Sequence, residues 1–264
     1  NMNNLINKSF KTIKNQGWGA FFKKVENKIG YSYKNLGYSY NNFLLKNSKN
    51  NSISKLQKFE SDNLEQIFDF AWNFKNGAIR PMQIKEEFLE LLKIFKEHNP
   101  KYILEIGTAN GGTLFSYCKL AREDAVIISI DLPKGLYGGG YPNWKIPIYQ
   151  AFKKPNQKLY LLREDSHQKE TLEKVKEILD DNQLDFLFID GDHSYEGVKK
   201  DFEMYSPLVR KGGIIAFHDI APNGILELTG GVSRFWKEIE KKNYYQEIIN
   251  NQNQEGFGIG ILIK

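Results

Sequence analysis

The chain has 264 residues, and its 37 lysine and arginine residues against 32 aspartate and glutamate residues give a net charge of +5. This length accommodates one large α/β domain with an appendage, and no apolar run reaches the roughly 18 residues that a membrane-spanning helix needs. The single cysteine, Cys118, excludes an internal disulfide and argues against a thiolate metal site. Because the first residues also lack the order of a signal peptide, we expect a cytoplasmic protein.

Residues 1–55 differ in charge from the rest of the chain. Their ten lysines and one acidic residue give a net charge of +9, which leaves −4 for residues 56–264. Apolar residues recur between the lysines, and this predicts a helical, amphipathic appendage. The sequence favours docking on its own domain or a partner subunit, or partial disorder; the alternative is contact of residues 1–30 with an anionic inner membrane face. We also expect a homo-oligomer.

Two helical stripes precede the first strand. The apolar residues of one lie between Leu64 and Ala71, and those of the other lie between Phe88 and Phe95. The turn of residues 76–83 separates the stripes and is a candidate cover for a ligand site at the sheet edge. Asn99 and Pro100 end the second helix and start the sheet.

The stretch from Lys101 to Asp131 has the pattern of a β-α-β unit. Its parts are a buried strand, a glycine turn, a short helix and a second strand that ends at an acid: 102–106, 107–112, the helix through Cys118, and 125–130. The turn lies at the carboxyl end of the first strand, where the free N–H groups of a helix N-terminus meet a ligand. The unit therefore predicts a nucleotide-like ligand at this edge.

The order of the glycines narrows the choice of ligand. Dinucleotide folds use G-x-G-x-x-G, whereas this turn has Gly107, Gly111 and Gly112, with Glu105 two residues before the first glycine. This order makes a poor phosphate cradle. Asp131 lies 24 residues after Gly107, close to the roughly 20 residues at which an acid binds ribose hydroxyls. A tight connection without a ligand is the alternative.

A glycine-rich loop of residues 132–144 follows, with aromatic residues Tyr137, Tyr141 and Trp144. This loop is either a mobile flap over the ligand or a long surface loop, and the sequence favours neither. Three further strands then alternate with helices, and a last helix of residues 232–241 precedes two strands. The predicted strands are 158–162, 184–189, 213–217, 244–249 and 256–263, and the predicted helices between them are 149–153, 170–179 and 195–206. This alternation predicts an α/β fold with a doubly wound, mainly parallel sheet of seven strands.

Ionisable side chains gather after the fourth and fifth strands. They are Asp190, Asp192, His193, His218 and Asp219. Carboxyl ends of parallel strands meet at one edge, so we expect these groups in one cleft beside the glycine turn. Charges so placed are costly unless they bind a cation or perform proton chemistry. For Asp192 alone, a solvated turn is a credible alternative.

These motifs resemble those of class I S-adenosylmethionine (SAM)-dependent O-methyltransferases. The turn from Glu105 to Gly111 resembles their E-x-G-x-x-x-G turn. The acids after strands four and five are similar to those of the bacterial family grouped with macrocin O-methyltransferase and the cephalosporin-hydroxylase-like proteins, and more distantly of catechol O-methyltransferase. The resemblance covers about residues 79–263 and implies a Rossmann-like sheet with an antiparallel C-terminal hairpin.

The resemblance also implies roles for individual residues. The cofactor's amino-acid end, ribose and adenine would be bound by Glu105, Gly107, Thr108, Thr113, Asp131, Leu132, Asp165 and Ser166. A divalent Mg²⁺ or Mn²⁺ ion would be held by Asp190, His218 and Asp219. His218 stands where relatives carry an oxygen ligand, and Mn²⁺ or Fe²⁺ accepts an imidazole more readily than Mg²⁺ does. Asp190 and His193 would be catalytic, because His193 stands where catechol-type enzymes carry the lysine that takes the proton.

We therefore predict a bacterial, metal-assisted, SAM-dependent O-methyltransferase in residues 56–264. The predicted acceptor is a sugar hydroxyl in a nucleotide sugar, a cell-surface glycan or a natural-product intermediate. The alternatives are a catechol-type phenol as acceptor, an NAD-dependent oxidoreductase, and a non-enzymatic glycan-binding relic. Nucleic acid is not an expected partner, because the basic residues concentrate in the appendage.

Overall fold

A computed structural model of the chain describes residues 41–133, 140–222, 230–242 and 244–264. The chain divides into two compact units, Asn1–Asn47 and Ser48–Lys264. The predicted amphipathic segment of residues 1–30 lies outside the described residues, as does Tyr137. The larger unit starts at Ser48, while the predicted methyltransferase domain of residues 56–264 stays a prediction. The first helix of this unit is held by Lys119, whose Nζ donates a hydrogen bond to Leu56 O at 3.0 Å.

The larger unit is built on a seven-stranded sheet with the order β3-β2-β1-β4-β5-β7-β6. The strands are β1 Tyr102–Ile106, β2 Val126–Ile130, β3 Lys158–Leu162, β4 Leu184–Ile189, β5 Val209–His218, β6 Tyr244–Ile248 and β7 Ile259–Ile263. The first five pair in parallel, and β7 runs antiparallel to both β5 and β6. This order confirms the predicted fold class, including the C-terminal hairpin.

Helices connect these strands along the described parts of the chain. They are α1 Lys49–Lys58, α2 Leu64–Asn73, α3 Lys85–His98, α4 Gly112–Leu120, α5 Ile146–Gln150, α6 Lys169–Leu179, α7 Tyr195–Tyr205 and α8 Gly230–Ile239. Side-chain caps start two of them: Asn63 Oδ1 accepts from Gln66 N and Ser194 Oγ accepts from Gly197 N, both at 3.0 Å. None of the described helices combines the length and apolarity needed to cross a membrane.

The predicted helix at residues 149–153 was wrong in its position. Helix α5 begins at Ile146 and ends at Gln150, and a short 3₁₀ helix, Asn143–Lys145, leads into it. Pro147 occupies the first turn of α5, where its fixed φ and missing N–H favour a helix start. The end of the predicted loop is therefore helical.

The centre of the sheet is packed by apolar and aromatic side chains. Tyr117 on α4 packs against Phe186 and Phe188 of β4, with ring centroids 5.3 and 5.9 Å apart. Cys118 on the same helix is fully buried, and burial raises the pKa of its thiol. The cysteine is therefore a core residue, and it is not poised for thiolate chemistry.

Glu87 in the first turn of α3 ties this helix to the loop between β6 and β7. The residue is 1% exposed. Its carboxylate accepts hydrogen bonds from Asn250 N at 3.0 Å, from Gln254 Nε2 at 2.7 Å and from Gly258 N at 2.9 Å. A buried carboxylate is tolerable because three donors satisfy it. Glu87 therefore fixes the position of the β6–β7 loop, residues 249–258.

Replacing Glu87 by glutamine should destabilise the domain, because the amide turns one acceptor oxygen into a donor that faces other donors. We expect Glu87→Gln to lower the free energy of unfolding by about 2 kcal/mol, the order of magnitude of a hydrogen bond to a charged group. Urea denaturation measures the change. The matched control Glu86→Gln alters an exposed neighbour and should stay within about 0.5 kcal/mol of the unaltered chain. Equal unfolding midpoints for the two variants would contradict this account.

Candidate functional site

The carboxyl ends of β1, β4 and β5 lie side by side and carry the groups that the sequence singled out. Ile106 pairs with Ile189, and Ile189 pairs with Phe217. The chain segments that follow these strands therefore start at one edge of the sheet. The structure thus places the glycine turn beside the charged residues that follow β4 and β5.

Position 107 needs a glycine because the chain at the end of β4 lies against it, in addition to any need to admit a ligand. Its φ is +99°, and a Cβ atom there would lie 2.0 Å from Asp190 O. Asp190 N donates a hydrogen bond to Ile106 O at 2.8 Å, which holds the two chain segments together. Any side chain at position 107 would push the start of the charged cluster away from the turn.

The segment of residues 79–83 lies over the glycine turn. A Cβ atom on Gly112 would lie 2.3 Å from Pro81 N, so only glycine allows this contact. Two residues further on, Gln83 Nε2 donates a hydrogen bond to Asp190 Oδ2 at 3.0 Å. The turn that was predicted as a cover therefore closes on the glycine turn and on the cluster, while its contact with a cofactor stays a prediction.

Two carboxylates and two imidazoles form the cluster. His218 Nδ1 lies 3.2 Å from Asp190 Oδ1 and 3.6 Å from Asp219 Oδ2. His193 Nε2 lies 3.5 Å from Asp190 Oδ1, and its Nδ1 lies 3.1 Å from Asp219 Oδ2. The side chains are 15% exposed at Asp190, 18% at His193, 5% at His218 and 9% at Asp219. The cluster is thus mostly buried, and His193 is its most exposed member.

Opposite charges set the protonation of this cluster. Burial would raise the pKa of Asp190, but the charge of His218 and the hydrogen bonds from both histidines outweigh it and hold the pKa below its usual range. Burial lowers the pKa of His218, yet the nearby carboxylates of Asp190 and Asp219 raise it to about 9. The pKa of His193 is also raised, because its hydrogen bond to Asp190 and the two carboxylate charges outweigh burial. The cluster is therefore nearly balanced in charge when both histidines are protonated.

The carboxylate oxygens and imidazole nitrogens of the cluster are suitable ligands for a divalent cation. Among the described residues, Asp190, His193 and Asp219 each offer a ligand atom, and these atoms lie within 4.8 Å of one another. The sequence-based set had His218 in place of His193, and both imidazoles border the same two carboxylates. Two carboxylate oxygens with an imidazole nitrogen suit Mn²⁺ or Fe²⁺ better than Mg²⁺. Metal binding itself stays a prediction.

Glu105 lies beneath the glycine turn. It is fully buried, and its carboxylate accepts hydrogen bonds from Thr113 Oγ1 and from Ser129 Oγ, the latter at 2.7 Å. Burial raises the pKa of Glu105 to about 8, although these hydrogen bonds oppose the shift. Thr108 continues the chain of hydroxyls, with its Oγ1 2.6 Å from Ser129 Oγ. In this arrangement Glu105 and Thr113 brace the turn, and their contact with a cofactor stays a prediction.

Asp131 joins the glycine turn to the segment after β2. Its Oδ2 accepts from Ala109 N at 3.1 Å and its Oδ1 accepts from Gly140 N at 2.9 Å. Burial raises the pKa of Asp131 to about 6, against the effect of these backbone hydrogen bonds. The next residue, Leu132, is 45% exposed. Asp131 therefore lies where the sequence predicted, directly beside the turn, with an exposed apolar residue adjacent to it.

Asp165 and Ser166 follow β3 and are engaged in local hydrogen bonds. Asp165 accepts from His167 N at 2.8 Å and from Gln168 Nε2 at 2.9 Å. Ser166 Oγ donates to Asp201 Oδ1 on α7 at 2.7 Å. These contacts hold the end of β3 against α7, and the adenine-binding role of the two residues stays a prediction.

Tyr141, in the loop that the sequence predicted as a flap or a surface loop, is buried. It is 2% exposed, its ring centroid lies 4.6 Å from that of Tyr149, and the Arg163 guanidinium lies over the ring at 5.5 Å. Packing on both neighbours buries the ring, so this residue anchors the loop. Trp144 is partly exposed and lies in the 3₁₀ helix before α5, and residues 134–139 are outside the described residues.

Sequence reasoning missed three residues that border the cluster: Gln83, Glu87 and Phe257. Gln83 was part of the predicted cover but was not singled out. Glu87 is an acid on the buried face of a helix beside Phe88, and that misplaced charge was the available signal. Phe257 lies between Gly256 and Gly258 in a turn, and the surrounding glycines were the signal there.

Glu105 should make the stability of the domain depend on pH. Its folded-state pKa is raised from 4.5 to about 8, so its contribution to stability is fully present below the lower value and is lost as the pH rises through the higher one. Glu105→Gln keeps the shape, stays neutral and can still pair with both hydroxyls. We therefore expect the free energy of unfolding of the variant, relative to that of the unaltered chain, to rise by up to about 1.4 kcal/mol per pH unit between about pH 5 and pH 8. Urea denaturation across this range measures it, with Glu86→Gln as control; parallel curves would contradict it.

Comparisons with known proteins agree with this architecture. Residues 104–220 match the family model described as a methyltransferase domain. The chain is 28% identical over 192 residues to a probable caffeoyl-CoA O-methyltransferase 3 from Dictyostelium discoideum, covering 69% of this chain and 70% of that protein. Two uncharacterized proteins also match. One, from Sinorhizobium fredii, is 27% identical and the match covers 61% of this chain; the other, from Acanthamoeba polyphaga mimivirus, is 32% identical and the match covers 49%. The chain spans only 17% and 55% of their respective lengths.

Solved structures share the fold. A caffeoyl-CoA O-methyltransferase candidate from Staphylococcus aureus is 18% identical with a TM-score of 0.53, covering 84% of this chain and 98% of that one. CalS11, a TDP-rhamnose 3′-O-methyltransferase of calicheamicin biosynthesis, is 16% identical with a TM-score of 0.53, covering 80% and 91%. TomG from Streptomyces achromogenes, solved with SAM, is 15% identical with a TM-score of 0.50, covering 78% and 91%. The fold is therefore that of the class I O-methyltransferases. Residues 104–220 thus match a methyltransferase domain, and the predicted resemblance to class I O-methyltransferases is confirmed at the level of the fold.

Proposed function

We propose that this protein is a SAM-dependent O-methyltransferase that methylates a sugar hydroxyl in a nucleotide sugar or glycan intermediate. The observation that carries the proposal is the cluster of Asp190, His193, His218 and Asp219 directly beside the glycine turn of a methyltransferase domain. Methyl transfer from a sulfonium needs an aligned nucleophile, so the protein's part is to position the acceptor and to take its proton. The ionisable side chains of the cluster, at the carboxyl edge of the sheet, can perform both tasks.

The cofactor would lie between the glycine turn and Asp131. TomG, which shares the fold, was solved with SAM, and this supports SAM as the methyl donor. Asp131 Oδ1 accepts from Gly140 N, and ribose hydroxyls donate equally well to a carboxylate. Each carboxylate oxygen can accept a further hydrogen bond, so Asp131 would receive the ribose hydroxyls beside its bonds to Ala109 N and Gly140 N. Glu105 would act from beneath the turn, by holding Thr113 in place.

The cluster would activate the acceptor hydroxyl. A divalent cation held by Asp190 and Asp219 would supply the charge that lowers the hydroxyl's pKa. Either imidazole can serve as the third ligand. We assign the proton-accepting role to His193 because its side chain is 18% exposed against 5% for His218, so an acceptor that enters from solvent meets His193 first. A cation on Asp190 and Asp219 would offset the carboxylate charges that raise the pKa of His193, so the imidazole would be neutral and could accept the proton. The methyl group would then pass to the oxygen, and demethylated SAM would leave.

The side chains at the rim of the cluster indicate the class of acceptor. The cluster is polar and charged, and the aromatic side chain of Phe257 lies at its rim. This combination fits a ring that carries hydroxyls and has one apolar face, as a sugar does. A phenol is the second candidate, and the match to the Dictyostelium caffeoyl-CoA O-methyltransferase favours it. The methyltransferase-domain match speaks against the NAD-dependent alternative, and turnover with any acceptor would separate an enzyme from the non-enzymatic glycan-binding relic. A homo-oligomeric state, the absence of nucleic-acid binding and membrane contact of residues 1–30 stay predictions.

Asp131→Ala should weaken SAM binding at least tenfold, because it removes the carboxylate that would receive the ribose hydroxyls; about 1.4 kcal/mol corresponds to this factor. Calorimetry with SAM and with its demethylated product measures the change. Asp124→Ala is the matched control, since Asp124 precedes the same strand and pairs with Arg122 and Lys101 at the opposite edge. Unchanged affinity in Asp131→Ala, or no binding by the unaltered chain, would contradict the cofactor assignment.

His193→Gln should lower kcat by about 100-fold or more, because general-base catalysis contributes a factor of this order. Turnover is scored as demethylated SAM formed with nucleotide sugars, lipid-linked glycans and catechols as acceptors, with Mn²⁺ or Mg²⁺ added after EDTA treatment. Mn²⁺ affinity, measured by electron paramagnetic resonance, should stay unchanged in the variant. His98→Gln, at the amino-terminal edge of the sheet, is the control.

Weakened Mn²⁺ binding in His193→Gln would make this residue a ligand and not the base. Full turnover after exhaustive chelation would leave the cluster as an acid-base site without metal. Turnover confined to catechols would overturn the sugar assignment in favour of the phenol.

A further inference from the structure

Phe257 is a large apolar side chain that borders the charged cluster. It remains 40% exposed. Its ring centroid lies 5.8 Å from that of His218, with the two planes at 72°. Its backbone N donates to Asp219 Oδ1 at 3.0 Å. The ring and two members of the cluster therefore belong to one rim, with an apolar surface directly beside the polar groups.

The backbone of Phe257 is held in a conformation that a bulky residue rarely adopts. Its φ is +58°, and its neighbours Gly256 and Gly258 have φ values of +79° and +78°. Glycine or asparagine would occupy this left-handed region with less strain. Strained residues persist where the surroundings hold them in place, and they concentrate at ligand-binding sites.

Backbone hydrogen bonds fix this turn from both sides. Ala221 N donates to Phe257 O at 2.9 Å and Gly256 N donates to Pro222 O at 3.1 Å. Gly258 N donates to the buried carboxylate of Glu87 at 2.9 Å. The position of the ring is therefore set before any ligand arrives, which reduces the entropy lost when a ligand contacts it.

The cluster and the Gln83 side chain that donates to it leave two polar atoms without a protein partner in the part of the chain that the structure describes. They are His218 Nε2 and Gln83 Oε1, both buried. Buried polar atoms are nearly always hydrogen-bonded, by protein or by a bound group. The edge that Phe257 borders thus offers unused hydrogen-bonding capacity next to an apolar ring, the combination typical of small-molecule sites.

We propose that Phe257 determines acceptor specificity by stacking on the apolar face of the acceptor ring, with the reacting hydroxyl directed at the cluster. The inference rests on the proposed function and adds the contact that selects the acceptor. The ligand chemistry is a ring with one apolar face and a hydroxyl on its edge. Sugars and phenols both have this chemistry. A sugar stacks on an aromatic side chain through its C–H face, and a phenol stacks through the face of its ring.

The test compares Phe257→Leu with Phe257→Tyr. Both variants retain apolar bulk and the left-handed backbone, and only the tyrosine variant retains a ring. Methyl transfer from SAM is measured with TDP-rhamnose and with caffeoyl-CoA as acceptors. Leucine should raise the KM of the preferred acceptor about three- to tenfold, the effect of losing one stacking contact. Tyrosine should keep KM within about twofold, and neither variant should change SAM affinity.

The controls separate a binding role from a structural one. Tyr244→Leu alters an aromatic residue on β6 that is 77% exposed, and it should leave both KM values unchanged. An unchanged KM in Phe257→Leu would overturn the inference, and so would an equal rise in the leucine and tyrosine variants, because that would report packing. A rise for TDP-rhamnose alone identifies a sugar source, and a rise for caffeoyl-CoA alone identifies a phenol. If the unaltered chain methylates no acceptor, the proposed function fails and the inference falls with it.

Discussion

The functional edge of this protein depends on how closely β4 approaches β1 at Asp190. The carbonyl oxygen of Asp190 occupies the space that a Cβ atom on Gly107 would need, and its N–H donates to Ile106 O. The carboxylate of the same residue accepts from Gln83 and lies 3.2 Å from His218 Nδ1. One residue thus joins the glycine turn, the covering segment and the charged cluster. A displacement of β4 at this point would separate the glycine turn from the charged cluster.

Charge balance makes this crowded edge tolerable. Asp190 and Asp219 each face both imidazoles, so no charge of the cluster is buried without an opposite charge nearby. Glu105 is handled differently: two hydroxyls satisfy its carboxyl group, and burial favours its neutral form. The site therefore has a neutral brace beneath the turn and a polar, ionised surface beside it. Such separation of protonation states is typical of sites that perform proton chemistry.

Strand positions were predictable from the sequence because buried parallel strands read as short apolar runs. The structure gives β1, β3 and β4 the predicted bounds, and the acids at the strand ends meet because the sheet order requires it. The partners of those acids were not predictable. Gln83 lies 107 residues from Asp190, and Glu87 lies 171 residues from Gly258, so only the folded chain brings them together.

The errors also have physical causes. Tyr141 was placed in a loop that is either a mobile flap or a long surface loop, because glycines precede it, but packing against Tyr149 and Arg163 buries its ring. Among the described residues, Phe257 is an exposed aromatic residue that borders the cluster, and the short strands beside its turn gave no sign that it lies close to Asp219. Local composition describes how a segment is built, and it does not describe what the segment packs against.

The central claim is that the methyl donor and the charged cluster meet at one edge of the sheet. A crystal structure with demethylated SAM and Mn²⁺, using anomalous scattering to locate the metal, tests it most directly. The account predicts ribose hydroxyls on Asp131, a Mn²⁺ peak bound by Asp190 and Asp219, and the thioether sulfur facing that ion. A cofactor bound away from the glycine turn, or a sulfur directed away from the cluster, would contradict it.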